Sequence, residues 1–206
     1  MAELEFSVPY NNDPETLPEI FRRKELNGNR VREIYMSGPE AYAGSGRISA
    51  ALGFDAFAAA VERIHREGIR VNLLLNSTCD GDRWYAPDVL GATMDYLGRV
   101  IGDLGVEAVT IANPLYIREV RRRFPGVEIC ASVLADIDGV GKAAVYRRAG
   151  ADVLTPGVDV NRNLRVLRAI AERTGAELKL MVNEGCLHRC PFRKFHFNYI
   201  SHKSRH

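Results

Sequence analysis

Residues 183–202, NEGCLHRCPFRKFHFNYISH, hold the densest set of side chains able to do chemistry. Cys186 and Cys190 are spaced Cys-x3-Cys, and a proline follows the second. Two thiolates four residues apart can reach one metal ion or cluster from a turn or from a first helical turn. Arg189, Arg193 and Lys194 stand close by and are expected to favour thiolate over thiol. The bland alternative is a pair of buried structural cysteines. A radical-SAM site fails, because its third cysteine would fall at Arg193. Zinc is possible through Cys186, Cys190, His196 and His202, although the spacing is not that of a standard finger. An iron–sulfur cluster usually takes four thiolates, and Cys79 is the candidate third. Cys130 is expected to fill the interior instead.

A second group of polar residues follows a series of apolar runs. Asn11 and Asn12 follow the first run; Asn76, Ser77, Thr78 and Cys79 follow GIRVNLLL; Asn113 follows GVEAVTIA. Ser132 ends GVEICA, Thr155 ends GADVL, and Asn183 and Glu184 end GAELKLMV. Three of these runs stop at Asn in the same place. An amide carries donors and an acceptor, which suits orienting an oxygen-rich ligand. Asn11, Asn76, Asn113 and Ser132 are therefore candidate substrate-binding residues, and Glu184 with Asn183 the candidate catalytic pair. Each also has an ordinary reading: Asn, Ser and Thr are common turn residues and helix caps, and Glu184 as a loop acid in solvent.

The elements that must position these groups repeat. Gly68, Gly105, Gly126, Gly150 and Gly175 open successive units, 37, 21, 24 and 25 residues apart. All but Gly126 follow a helical pattern, where a left-handed residue ends a helix without steric penalty if it is glycine. The runs behind them are short and rich in Val, Ile and Leu, as parallel strands buried on both faces are. Two earlier strands fit Leu4–Val8 and Arg32–Met36. Helices fit 14–25, 54–67, 87–103, 114–123, 137–148 and 162–173. With no hairpin signal read between them, βα units in series predict a parallel sheet with right-handed crossovers. No Gly-x-Gly-x-x-Gly follows the first strand, and a TIM-type (β/α) barrel is expected rather than an open sheet. Seven parallel strands are visible; the eighth is missing or supplied by a region beyond the residues given, as in the front part of a longer protein. Residues 1–185 would form the barrel. Residues 186–206 would be a basic and aromatic segment packing on its mouth, where such barrels gather their chemistry.

That segment has no acidic residue after Glu184 and mixes Arg189, Arg193, Lys194, Lys203 and Arg205 with Phe192, Phe195, Phe197 and Tyr199. It could stack bases and hold a nucleic acid backbone. The favoured reading has the aromatics packed under the barrel and the cations in water.

Composition sets outer bounds. The 206 residues are 46% hydrophobic and 26% charged, with a net charge of +2. These values exclude a disordered chain, a collagen and a disulfide scaffold. No apolar run nears the roughly 20 residues that span a bilayer, so no membrane insertion is expected. Met1–Asp13 has no secretory pattern, and four cysteines then suggest a reducing, cytoplasmic setting with free, catalytic or metal-bound thiols.

The segments EFSVPYNND, REIYMSGP, NLLLNSTC, AVTIANP, FPGVEICAS and VNEGCLHRCPF together resemble the collagenase-like peptidase family U32, in order and over nearly the whole chain. The resemblance implies a barrel. It implies either a protease or an oxygen-independent hydroxylation enzyme that acts on RNA bases or a small aromatic such as a ubiquinone precursor. In the latter a four-cysteine iron–sulfur cluster, likened to 4Fe-4S, sits at the barrel mouth, with prephenate implicated as the oxygen source. Cys186 and Cys190 match the cysteine segment after the seventh strand; further family cysteines would lie downstream of His206. Three functions stay open. One is an iron–sulfur-dependent hydroxylase-like enzyme. Another is a protease, although no Ser-His-Asp set or His-Glu-x-x-His motif is legible and only Cys186 with His188 suggests a Cys-His pair. The third is a zinc- or cluster-stabilised scaffold that binds RNA or a partner without catalysis. The expected partners are a small-molecule or RNA substrate and a protein of the same family.

Overall fold

The computed structural model describes residues 4–39, 44–46, 49–50 and 52–205. Strand β1 (Glu5–Tyr10) leads to helix α1 (Thr16–Arg22), strands β2 (Glu25–Leu26) and β3 (Asn29–Ser37), and helix α2 (Phe54–Arg66). Then come β4 (Arg70–Leu75), α3 (Pro87–Gly98), β5 (Ala108–Ile111), α4 (Pro114–Arg123), β6 (Glu128–Ala131) and α5 (Val140–Ala149). The chain closes with β7 (Val153–Leu154), α6 (Leu164–Thr174), β8 (Glu177–Leu178) and α7 (Arg193–Arg205). Seven strands pair in parallel in the order β1-β3-β4-β5-β6-β7-β8, and β2 lies antiparallel on β3. This is the expected barrel architecture, curled and with β1 and β8 as its two edges.

The helix-ending glycines behave as their positions predict: Gly68, Gly105, Gly150 and Gly175 have φ of 71°, 70°, 117° and 62°. The structure differs from the expectation of no hairpin at one place. Asn27 and Gly28 have φ of 54° and 75°. They form the tight turn of the β2–β3 hairpin, the left-handed pair that such turns require. The eighth strand among the described residues is thus a short antiparallel arm. The expected helix 14–25 ends early because Lys24 accepts a hydrogen bond from Val31 in that hairpin, at 2.7 Å. The expected helix 87–103 changes to a π-turn over Arg99–Asp103. The last run forms a strand only at Glu177–Leu178. β8 is an edge strand, and Leu180 and Val182 beyond it are exposed, without the two-sided burial that sustains a parallel strand.

The sheet faces divide sharply. Ile34, Met36, Val71, Leu73, Val109, Ile111 and Ile129 are buried and pack with Phe57, Val61, Ile64, Leu97, Ile117, Val120 and Ile170 of the surrounding helices. Each such side chain stabilises the fold by about 1.5–3 kcal/mol. The other face is polar. Glu33 Oε1 accepts hydrogen bonds from Ser7 at 2.6 Å, Asn72 at 3.0 Å and Lys179. Thr110 donates to Asn72 at 2.7 Å, and Asn72 and Lys179 flank the Cys130 thiol at 3.5 and 3.6 Å. Below this layer Arg32 pairs with Glu5, Glu128 and Glu177 at 3.4, 2.8 and 2.6 Å. Arg32 therefore joins the two sheet edges, since Glu5 is on β1 and Glu177 on β8. Cys130 does lie inside the barrel, as expected. Burial pushes its thiol up to about 11.

Candidate functional site at the barrel mouth

The strand ends gather the polar groups on one rim. Asn12, Ser37, Asn76, Ser77, Ser132 and Thr155 are all buried there. Asn76 spans the rim: its Nδ2 donates to Ser132 Oγ at 3.1 Å, and its Oδ1 accepts from Gly46 N–H at 3.1 Å. Ser132 also caps the short turn Val133–Ala135, accepting from Leu134 N–H at 3.1 Å. Ser77 N–H donates to Gly44 at 3.1 Å, so Gly44–Gly46 lies across the mouth. A Cβ on Gly46 would come within 2.2 Å of Leu134 Cδ1, so only glycine passes there without displacing that side chain.

Helix α7 covers the same rim. Thr78 N–H donates to Ser201 Oγ at 2.9 Å, and the two hydroxyls stand 3.2 Å apart. Ser204 Oγ donates to the Ser45 carbonyl at 3.0 Å. One residue along from each member of the Thr78–Ser201 contact, Cys79 Sγ lies 3.8 Å from His202 Nδ1. Both helix residues reach the rim because α7 runs past the end of β4.

The cysteine segment forms a separate cluster. Glu184 is largely buried; one oxygen accepts from Cys186 N–H at 3.1 Å, and the other pairs with Arg193 at 3.1 Å. Cys190 N–H donates to the Leu187 carbonyl at 3.2 Å, closing a turn. Arg193 also lies over Phe197, 4.9 Å from the ring centre. Burial alone would raise the Glu184 carboxyl; the Cys186 and Arg193 hydrogen bonds outweigh it and hold it below its ordinary range. The loop-acid reading of Glu184 in open solvent is therefore corrected.

The cysteine expectation is corrected too. The Cys186 thiol is pushed up, first by burial and then by the Glu184 carboxylate, against the lowering effect of Arg193. Glu184 takes up the Arg193 charge that was expected to favour thiolate. Among the described residues, no three His, Cys, Asp or Glu side chains form a group that could hold a metal ion. Cys79 thus sits with His202 and is not gathered with Cys186 and Cys190, and the Cys2His2 zinc set is not assembled.

The other candidates divide. Asn76 and Ser132 meet at the mouth. Asn113 caps α4, accepting from Leu115 N–H at 3.0 Å. Asn11 and Asn183 are exposed. The packed-aromatics expectation fails for most of α7 and its approach: Phe192, Phe195 and Tyr199 are exposed, and Phe197 is the one among them that lies beside Gly46. Sequence reasoning puts Asn12 and Ser37 at strand ends without choosing either as a site residue, and it missed Ser201 and the Cys79–His202 contact. The serines of α7 carry no signal of their own, since their partners are 123 and 159 residues away.

Comparison with known proteins decides the lineage. A family model described as peptidase family U32 matches residues 22–205. The chain belongs to peptidase family U32. Similar proteins of this family include the uncharacterized protease MJ1657 of Methanocaldococcus jannaschii, 26% identical over 205 residues. That match covers 96% of this chain and 60% of the relative, so the chain spans well under two thirds of that curated protein. The solved U32 peptidase Mk0906 superposes with a TM-score of 0.81 at 24% identity, covering 100% of this chain and 78% of the other. The GH113 β-mannanase AaManA of Alicyclobacillus acidocaldarius shares the barrel alone, with a TM-score of 0.53 at 14% identity. No helix among the described residues is long and apolar enough to cross a membrane.

Proposed function

We propose that this U32-family chain is the barrel part of a thiol-dependent peptidase. The observation that carries the reading is Cys79 Sγ at 3.8 Å from His202 Nδ1 on the barrel mouth. A thiol beside an imidazole is an activated nucleophile, because the imidazole can take the thiol proton. In the proposed reaction His202 accepts that proton and the Cys79 sulfur bonds to the scissile carbonyl carbon. The carbonyl electron pair moves to oxygen. Collapse breaks the carbon–nitrogen bond, and His202 returns the proton to the departing amine. Water then attacks the thioester, His202 takes its proton, and the thiol is regenerated with release of the acid. The proposed oxyanion donor is the exposed Thr78 hydroxyl, with the buried Ser201 hydroxyl, 3.2 Å away, donating to it. The name of MJ1657, an uncharacterized protease, agrees with this reading.

The test is hydrolysis of casein or gelatin by the whole protein and by Cys79→Ala and His202→Ala. Loss in both, with Cys186→Ala active and all variants folded, supports the reading. Full activity in Cys79→Ala overturns it.

A second reading, an iron–sulfur-dependent hydroxylase acting on RNA or a small aromatic, is favoured by Cys186 and Cys190 flanking one closed turn. The described residues bring together no third ligand, so a complete cluster does not fit them as they stand. Iron and acid-labile sulfide in anaerobically prepared full-length protein would favour this reading; stoichiometric zinc would favour the scaffold.

A further inference from the structure

Among the described residues, two buried side chains at the mouth keep an oxygen with no hydrogen-bond partner: Asn12 Oδ1 and Ser37 Oγ. Both residues are more than nine-tenths buried, at 5% and 6% exposure. Buried polar atoms are nearly always satisfied, so an orphan in a native site calls for a donor from outside the chain. Here there are two, at the ends of adjacent strands. Tyr10 of β1 pairs with Met36 of β3, which puts Asn12 just beyond Ser37 on the neighbouring strand. Ser37 shares the inner face of β3 with Glu33, four residues earlier, whose carboxylate meets Lys179 inside the barrel. Ser37 also pairs with Leu74 of β4, whose chain continues through Asn76 to Cys79.

The rest of the Asn12 amide is committed. Its Nδ2 donates to the Ala50 carbonyl at 2.8 Å, which fixes Oδ1 as a pure acceptor. Its φ of 63° is left-handed, a conformation Asn tolerates better than most residues. Neither orphan is charged, so they suit a neutral donor. Strand spacing and a one-residue offset separate the two backbones by roughly 6 Å, close to the roughly 6.8 Å between same-side N–H groups of an extended peptide.

We propose that Asn12 and Ser37 form a subsite that accepts hydrogen bonds from the backbone N–H groups of a bound peptide, one strand away from Cys79. This inference rests on the peptidase reading and adds to it the part of the substrate that is gripped. Asn12 and Ser37 are positioning residues in it.

The probe is acetyl-Leu-Leu-argininal, a peptide aldehyde that bonds reversibly to a nucleophilic thiol, compared with its backbone N-methylated form. Inhibition and adduct mass are read on the whole protein, on Ser37→Ala and on Cys79→Ala. Ser37→Ala removes an oxygen that bonds nothing among the described residues, so folding and thermal midpoint hold or rise. The expected result is a Cys79 adduct, with affinity weakened roughly three- to tenfold by Ser37→Ala and by N-methylation. Ser37→Ala should cost nothing further against the N-methylated probe, because that probe already lacks the N–H from which Ser37 accepts. A Cys79 adduct that forms equally well with Ser37→Ala and with the N-methylated probe overturns the subsite and leaves the peptidase reading standing. No adduct on Cys79 overturns both.

Discussion

Lys179 donates to Glu33 across the inside of the barrel, joining residues 146 positions apart in the chain. Lys179 follows the last strand and Glu33 lies on the second strand of the parallel series, so the contact holds the curl of a sheet whose edges do not pair. The Glu33 side chain is 1% exposed and that of Lys179 25%. Removing one partner of such a pair strands a buried charge, at a cost of roughly 3–5 kcal/mol. Lys179→Met should lower the unfolding free energy by that order in denaturant titration. Lys179→Met combined with Glu33→Gln should recover part of the loss, because neither charge is then stranded.

The same pair sets a pH window. Burial alone would raise Glu33, but Lys179, Ser7 and Asn72 outweigh it and lower its carboxyl. A lowered carboxyl stabilises the fold above its unfolded value, about 4.3, and the stabilisation is lost as pH falls through the lower folded value. Burial alone would lower Lys179, but Cys130 and Glu33 outweigh it and raise it. Its share is full below about 10.4 and is lost as pH rises through the higher folded value. The contribution of this pair should therefore be constant between these limits, and Glu33→Gln should flatten the acid limb of a stability profile measured against pH.

Cys130 should resist alkylation. Its thiol is fully buried and titrates at about 11. Iodoacetamide at pH 8 should label Cys79, Cys186 and Cys190, which are partly exposed, while Cys130 reacts only after unfolding. Peptide mass mapping reads this directly, and native labelling of Cys130 would contradict the closed interior.

Asn76 should hold the segment over the mouth. Asn76→Ala leaves the Gly46 N–H without its acceptor and removes one of the two hydrogen bonds that Ser132 Oγ accepts, the one from Leu134 N–H remaining. The expected cost is about 1–3 kcal/mol. Amide exchange at Gly46 should speed up more than exchange in β4 or β5.

Gly150 should not accept a side chain. Its φ is +117°, and an added Cβ would lie 2.8 Å from Arg121 Cβ. Gly150→Ala should lower stability by more than about 1 kcal/mol in thermal unfolding, whereas replacement of exposed Leu164 should change little.

Local physics made the repeat legible in the sequence. Glycines at helix ends and short branched runs dictate βα units whatever the rest of the chain does, and the motifs at the ends of those runs carry the resemblance to the family that the match over residues 22–205 shows. The short range of such signals also made the polar strand ends visible, and placed Asn76 and Ser132 on one rim. Tertiary structure decided which of these groups meet. His202 reaches Cys79 across 123 residues and Lys179 reaches Glu33 across 146, separations over which no spacing rule acts. Asn113, by contrast, caps its own helix two residues from Leu115, the ordinary local reading of such a residue, whereas the roles of Cys79 and Glu33 follow from the groups that the fold sets beside them, which local sequence does not contain.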